Sequence, residues 1–346
     1  MNARMKKIVS TNELYVALAV IVLCVIIGAI NENFFTIHTL FNLTRAAIVP
    51  GIMVFAVKLG IVAGGIDVSF PAIAMSSMYL TTRYFAHIDF DGPVIFPILM
   101  ATGIGTVLGL FNGLIIALFR LPAFIVTLGT AHVYQGVFVW LIGWSAVERL
   151  PASMAAMSTA ELFRYTDEVA SSSIPVTFLF LIGIILLVFF LLKFTMLGRG
   201  IYAVGGDRVS AERAGFSVKG ITIFVYSFIG FASGIAGILH TIQSRRSAPT
   251  DLIGSELLII AACVLGGTHI GGGRGTVLGS ILGLALITIA RNSLIMMGIP
   301  STAQTFAVGV IIVVGTGISA YQAMKKDNKL PRILDKNIPK GDSVGE

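Results

Sequence analysis

Gly198-Arg199-Gly200-Ile201-Tyr202-Ala203-Val204-Gly205-Gly206-Asp207, running on through Arg208, Ala211 and Glu212 to Gly215, is a charged, glycine-punctuated island in an apolar chain. Of the 346 residues, 56% are hydrophobic and 12% charged, and the mean hydropathy is +0.92. On both sides of the island the chain runs apolar for about 20 residues at a time, the length that crosses ~30 Å of hydrocarbon. A polar stretch this long between apolar segments belongs in water. A membrane chain that keeps such a unit mid-sequence presents it to a partner.

Working outward, ten apolar runs are expected to span the bilayer: 14–30, 46–62, 70–84, 94–118, 124–142, 174–194, 221–240, 253–265, 277–297 and 303–319. The third and eighth are short enough to be re-entrant or broken. Backbone in lipid must satisfy its own hydrogen bonds, and the alternating segments of a barrel are absent, so the class is an all-α polytopic bundle. Placing the N-terminus inside puts most of the 24 Lys and Arg in the cytoplasm, among them Arg199, Arg208, Arg213 and the tail from Lys325 to Lys340. Both termini are therefore expected on the cytoplasmic side. The organisation is one transmembrane domain over 1–324, with 193–219 as a cytoplasmic segment, and a polar tail over 325–346. The net charge of +7 reports topology and contact with anionic lipid heads, not nucleic-acid binding. The two cysteines, Cys24 and Cys263, lie in apolar runs and read as small hydrophobes. The uncleaved first span is preferred to a signal peptide, because Ile30-Asn31-Glu32 offers no small-residue cleavage site.

An internal similarity runs through the chain. Gly105-Thr-Val-Leu-Gly109 recurs as Gly275-Thr-Val-Leu-Gly279, each followed by Gly-Leu at Gly113 and Gly283. These fall in the fourth and ninth expected spans, which run in opposite directions, as in transporters built from inverted halves. Convergent Gly-x-x-x-Gly packing stripes are the alternative.

Catalytic and nucleotide motifs are missing. No Gly-x-x-x-x-Gly-Lys-Ser/Thr loop is present, and Gly271-Gly-Gly-Arg-Gly275 reads as a tight turn between spans. The five histidines have no metal-ligand spacing. Asp67, in Ala63-Gly-Gly-Ile-Asp-Val-Ser69, is the deepest carboxylate between spans. Such a group costs ~2.5–3.5 kcal/mol to insert and marks a pathway or a partner. With two glycines before it and Pro71 after, the helix is expected to break here, and Asp67 with Ser69 to satisfy the freed backbone groups. Capping is the favoured role of Asp67, direct contact with substrate the alternative. Lys58 is placed either to pair with Asp67 or to snorkel to the inner interface. Asn112 and Gln135 are polar residues on apolar spans; they either line a hydrated path or, on base rates, hydrogen-bond between helices. In the island, Arg208, Ala211, Glu212 and Arg213 suit a short helix starting near Asp207 or Ser210, longer and more rigid than a plain connection needs.

These stretches together resemble the permease subunit of an ABC importer of the ribose, xylose, arabinose and galactoside family. Gly64-Gly-Ile-Asp67-Val-Ser69 is similar to the family's Gly-Gly-x-Asp-Leu-Ser, and Gly105, Gly109 and Asn112-Gly113 to its Gly-x-x-x-Gly-x-x-Asn-Gly helix. Leu121-Pro-Ala-Phe-Ile-Val-Thr127-Leu-Gly129-Thr130 is similar to its Pro-x-Phe-Ile-x-Thr-Leu-Gly segment. Gly198-Arg199, Ala203-Val-Gly205-Gly206, Ala211 and Gly215 follow its cytoplasmic coupling stretch, and Ala261 to Thr268 with Gly272-Gly-Arg-Gly275 its late Gly-Gly-Thr motif. Two positions depart: Phe70-Pro71 stands where Val-Gly is usual, and Asp207 where Asn is usual. The resemblance implies a dimer with a second permease copy or a paralogue, in the bacterial inner membrane. An ABC ATPase subunit would lie below and a periplasmic sugar-binding protein above. ATP and Mg would be bound by the partner ATPase and no cofactor by this chain, which would not itself be an enzyme. Gly198, Arg199, Gly205, Gly206, Asp207, Arg208, Ala211, Glu212 and Gly215 are then the expected coupling residues, and Asp67, Ser69, Asn112, Thr127 and Gln135 the pathway candidates. An ion-coupled secondary transporter, or a permease for another small solute such as a branched-chain amino acid, is the alternative.

Overall fold

In a computed structural model, residues 12–167 and 171–300 are described, together with six scattered positions between 303 and 317. Twelve α-helices, one short 3-10 helix (Glu32–Phe35) and one hairpin form among these residues. Six helices are long and apolar enough to cross a bilayer: α1 (Asn12–Ile30), α2 (Ile37–Val62), α4 (Ile95–Phe119), α5 (Ala123–Ile142), α10 (Val218–Ser244) and α12 (Val277–Met296). A seventh span is bent: α7 (Phe178–Phe194) turns by 77° into α8 (Met196–Gly206). Two expected short spans are also helical, α3 (Phe70–His87) at 18 residues and α11 (Glu256–Leu265) at 10. All but those six positions of the expected tenth span, 303–319, and the whole polar tail lie outside the described residues.

Packing follows from which helices are apolar on all sides. Both α2 and α10 are buried through most of their length, and the other spans gather around them. By contrast α1 and α7 carry stripes of exposed Leu18, Ile21, Val25, Leu186 and Phe190, which suit hydrocarbon. The α4–α10 seam is drawn close by glycine. A β-carbon at Gly109 would strike the Tyr226 carbonyl, and one at Gly234 the Ala101 carbonyl. The second copy of the repeated motif sits differently. Gly275 precedes α12, Gly279 lies in its first turn, and Gly279 and Gly283 pack on Gly266 and Ala262 of the α11 end. The two copies thus occupy different helix positions, mid-helix in α4 and at the start of α12, while both serve close helix approach.

The segment between α5 and α7 departs from the all-helical expectation. It opens with a short helix, α6 (Ala152–Thr159). Then β1 (Glu161–Thr166) pairs antiparallel with β2 (Ser171–Pro175). Val147 and Ser247 exchange both backbone hydrogen bonds, at 2.8 and 3.0 Å, tying this loop to the one after α10. The same end of the bundle holds an open cleft of about 890 Å³ with Arg83, His87, Asp89, Asp91, Glu148 and Arg149 on its walls.

Candidate functional site

The break between α2 and α3 is the first centre of interest. Helix α2 ends at Val62, Gly64 adopts φ +81°, and α3 starts at Phe70 with Pro71 in its first turn, where no N–H is required. The departure from Val-Gly is therefore absorbed as a helix start. Asp67 Oδ1 accepts from the Ser69 N–H at 2.7 Å and from the Ser69 hydroxyl at 2.6 Å. Ser69 Oγ in turn accepts from Asn112 Nδ2 at 2.8 Å, and Asn112 Oδ1 accepts from the Tyr134 hydroxyl at 2.7 Å. Thr127 closes the other side, its Oγ1 accepting from the Val68 N–H at 3.2 Å. Helices α3, α4 and α5 are thus pinned to the break by one hydrogen-bonded chain.

Every member of that chain is buried: Asp67 is 1% exposed, and Ser69, Asn112 and Thr127 are not exposed at all. The structure brings together four of the five pathway candidates. Gln135 is half-buried and not part of the chain; its neighbour Tyr134 occupies the position instead. Tyr134 lies seven residues after Thr127, two helical turns on and on the same face, a periodicity that the sequence offers. Sequence reasoning also passed over Tyr226, whose hydroxyl lies against Gly65. Among the described residues, Asp67 Oδ2 and the Tyr226 hydroxyl are buried without a hydrogen-bond partner.

Lys58 neither pairs with Asp67 nor snorkels. Its side chain is fully buried, and Nζ donates to the Thr276 carbonyl and, at 3.0 Å, to Ser280 Oγ. Thr276 caps α12 and its hydroxyl bonds Glu13 of α1. The reason is position: four residues before the end of α2, Lys58 faces the start of α12, not the loop beyond Val62.

The island is the second centre. It is less watery than its composition suggests, because α8 buries Gly198, Gly200, Ile201, Val204 and Gly205 on one face. Two features force the close approach. A β-carbon at Gly205 would collide with the Val62 carbonyl, and one at Gly198 with the Leu191 carbonyl. Beyond Gly206 the chain turns outward into α9 (Arg208–Arg213), the short helix expected there. Asp207 caps it by accepting from the Ser210 N–H, as an Asn would. Bonding from the Ser210 hydroxyl and N–H holds the Asp207 carboxyl below the usual carboxylate range. Ala211 is buried, whereas Arg199, Arg208, Val209, Glu212, Arg213 and Gly215 are exposed. Val209 stands exposed and apolar among these charges.

Residues 39–315 match the family model described as the permease component of branched-chain amino acid transport systems. The chain is similar to a ribose import permease protein of Haemophilus influenzae, at 31% identity over 89% of this chain and 93% of the relative. It is also similar to the corresponding Escherichia coli protein, at 32% over 85% and 89%. An autoinducer 2 import system permease protein of Yersinia pseudotuberculosis matches at 30% over 96% and 90%. No solved structure matches the chain.

Proposed function

The chain belongs to the family of transport-system permease components whose model it matches over residues 39–315, and from that premise we propose that it is the membrane-spanning subunit of an ATP-driven importer for a monosaccharide or a related small polyol. The observation that carries this reading is the pairing of two elements in one chain. One is a helix, α9, that protrudes with a charged face; the other is a buried polar break that α9 adjoins through α8. The relatives named for ribose and autoinducer 2 support the polyhydroxylated class of substrate.

In this reading residues 1–324 form one permease domain and 325–346 a polar tail. The chain crosses the inner membrane ten times, with both termini in the cytoplasm. The count takes the six long spans, the bent α7–α8 pair, α3, α11 and the apolar stretch 303–319. The Lys and Arg distribution supports the orientation. Hydrolysis of ATP, with its Mg, belongs to a separate ATPase subunit that docks on Arg199, Asp207, Arg208, Glu212 and Gly215. Gly198, Gly205, Gly206 and Ala211 hold that surface in place. A binding protein delivers the solute at the end that carries the cleft of Arg83 and Arg149, and a second permease copy or paralogue completes the pathway.

Within the path, Asp67, Ser69 and Asn112 act by fixing the broken helix through their mutual hydrogen bonds, and Thr127 by accepting from the Val68 N–H. Alternating access then moves this pinned unit as a body. The chain needs no tight sugar site, because specificity resides in the delivering protein. The test is uptake of radiolabelled ribose by host cells lacking the chain. Loss of ATP-dependent uptake, restored by the wild-type chain, is expected; undiminished uptake rules out ribose as the solute, and the same assay with other labelled monosaccharides and polyols then decides the class. A branched-chain amino acid is the second reading, favoured by the family description, and labelled leucine in the same assay decides for it.

A further inference from the structure

Three separated segments meet backbone to backbone at one point. The end of α2 supplies Val62 and Gly64, the end of α8 supplies Gly205 and Gly206, and the turn before α12 supplies Gly272 and Gly273. The Gly273 N–H donates to the Val62 carbonyl at 2.9 Å. A β-carbon at Gly272 would lie 2.6 Å from the Gly205 carbonyl and 2.8 Å from Gly64 Cα, and Gly272 itself holds φ +87°. A β-carbon at Gly273 would lie 2.9 Å from Gly206 Cα. Tyr202, one turn back on α8, donates its hydroxyl to the Gly275 carbonyl at 2.6 Å.

What each segment leads to gives the contact its meaning. Three residues after Gly64 comes Asp67, the anchor of the chain through Ser69, Asn112 and Tyr134. One residue after Gly275 comes Thr276, which caps α12 and receives Lys58. Two residues after Gly205 comes Asp207, the cap of the exposed α9. No side chain stands between the three backbones to swing aside and absorb a displacement, and close-packed backbone transmits strain. The requirement is local: a β-carbon at Gly206 meets nothing within 4 Å, whereas one at Gly205 has no room.

We propose that this three-segment glycine joint is the element that passes movement of α9 to the starts of α3 and α12, with Gly205 and Gly272 as positioning residues. The inference rests on the reading of α9 as the ATPase docking helix. It adds where the movement goes: a single displacement at Gly205 shifts the Asp67 break and the Thr276 cap together, so the two sides of the pathway respond as one.

The experiment is amide hydrogen exchange on the full chain, purified with its ATPase in lipid nanodiscs, with and without the non-hydrolysable ATP analogue AMP-PNP. In the wild type, residues 207–213, 62–70 and 266–276 are expected to change exchange rate together, at least twofold. In Gly205→Ala the response at 207–213 persists and that at 62–70 is lost, while Gly103→Ala, whose methyl meets nothing within 4 Å, behaves as the wild type. An unaltered response at 62–70 in Gly205→Ala, or none there in the wild type, overturns the joint. Should Gly205→Ala fail to assemble, Tyr202→Phe removes one bond of the same joint and is expected to halve the response at 266–276; a full response there overturns the proposal. A wild-type chain that brings down no ATPase overturns the importer reading and this inference with it, an outcome distinct from failure of the joint alone.

Discussion

Asn112 Nδ2 donates to Ser69 Oγ at 2.8 Å across 43 residues of sequence, and through that one bond the C-terminal half of α4 is fastened to the N-cap of α3. The two residues belong to separate motifs, Gly-Gly-Ile-Asp-Val-Ser and Asn-Gly, that the fold turns into one buried network. Removing the amide takes the donor from Ser69 Oγ in a dry site, while the Tyr134 hydroxyl keeps the Leu108 carbonyl at 3.0 Å as its acceptor. An unmade buried hydrogen bond costs ~1–3 kcal/mol. Asn112→Ala is therefore expected to lower the detergent melting temperature by several degrees, and Asn112→Asp, which buries a second carboxyl on the far side of Ser69 from Asp67 and removes the donor to Ser69, by more.

Asp67 supports the start of α3. Asp67→Ala removes the acceptor for both the Ser69 N–H and its hydroxyl. It is expected to reduce stability by about 1–3 kcal/mol while leaving apparent substrate affinity unchanged. Titration of uptake against solute concentration, alongside a thermal melt, checks this. A loss of affinity at an unchanged melting temperature would make Asp67 a substrate ligand.

On the α4–α10 seam, neighbouring glycines should differ sharply. Gly109→Ala drives a methyl into the Tyr226 carbonyl, whereas Gly103→Ala, with nothing within 4 Å, meets open space. Overpacking of this kind costs ~1–3 kcal/mol. The expected result is a clear drop in melting temperature for Gly109→Ala and none for Gly103→Ala, measured on the purified chains.

Much of this was readable from the chain itself. The break at Ala63–Ser69 followed from paired glycines, a carboxylate and a proline, and α9 from Asp207 with its charge spacing, because both are local signals. The partners of Lys58 were not readable. Which of two helices a buried lysine faces depends on the rotation of α2, and an all-apolar helix carries no stripe to reveal it. The burial of α8 was hidden for a related reason: its glycines looked like loop punctuation, and only the approach of Val62 and Gly273 shows them as packing positions. The hairpin of β1 and β2 was missed because Ser171-Ser-Ser-Ile-Pro175 has little alternation of its own.

The cap of α9 carries a pH signature. The Asp207 carboxyl sits below its ordinary value, so the folded form binds a proton less readily than the unfolded chain. Its contribution is fully present above the ordinary Asp value of about 4 and is lost as pH falls through the lower, folded value. Asp207→Asn retains the accepting oxygen without the charge. The stability difference between wild type and Asp207→Asn is expected to be constant near neutrality and to fade only in that acid window, as thermal melts against pH would show.

The central claim is that a separate motor drives this chain through its exposed α9. The most direct measurement is gentle detergent purification of the tagged chain from its host, with mass spectrometry of what accompanies it, compared with a chain lacking 208–215. The wild type is expected to bring down an ATP-binding cassette protein in stoichiometric amount, and the deleted chain to insert in the membrane but bring down none. A lone wild-type chain that transports after reconstitution without ATP, or a deleted chain that retains the ATPase, would contradict it.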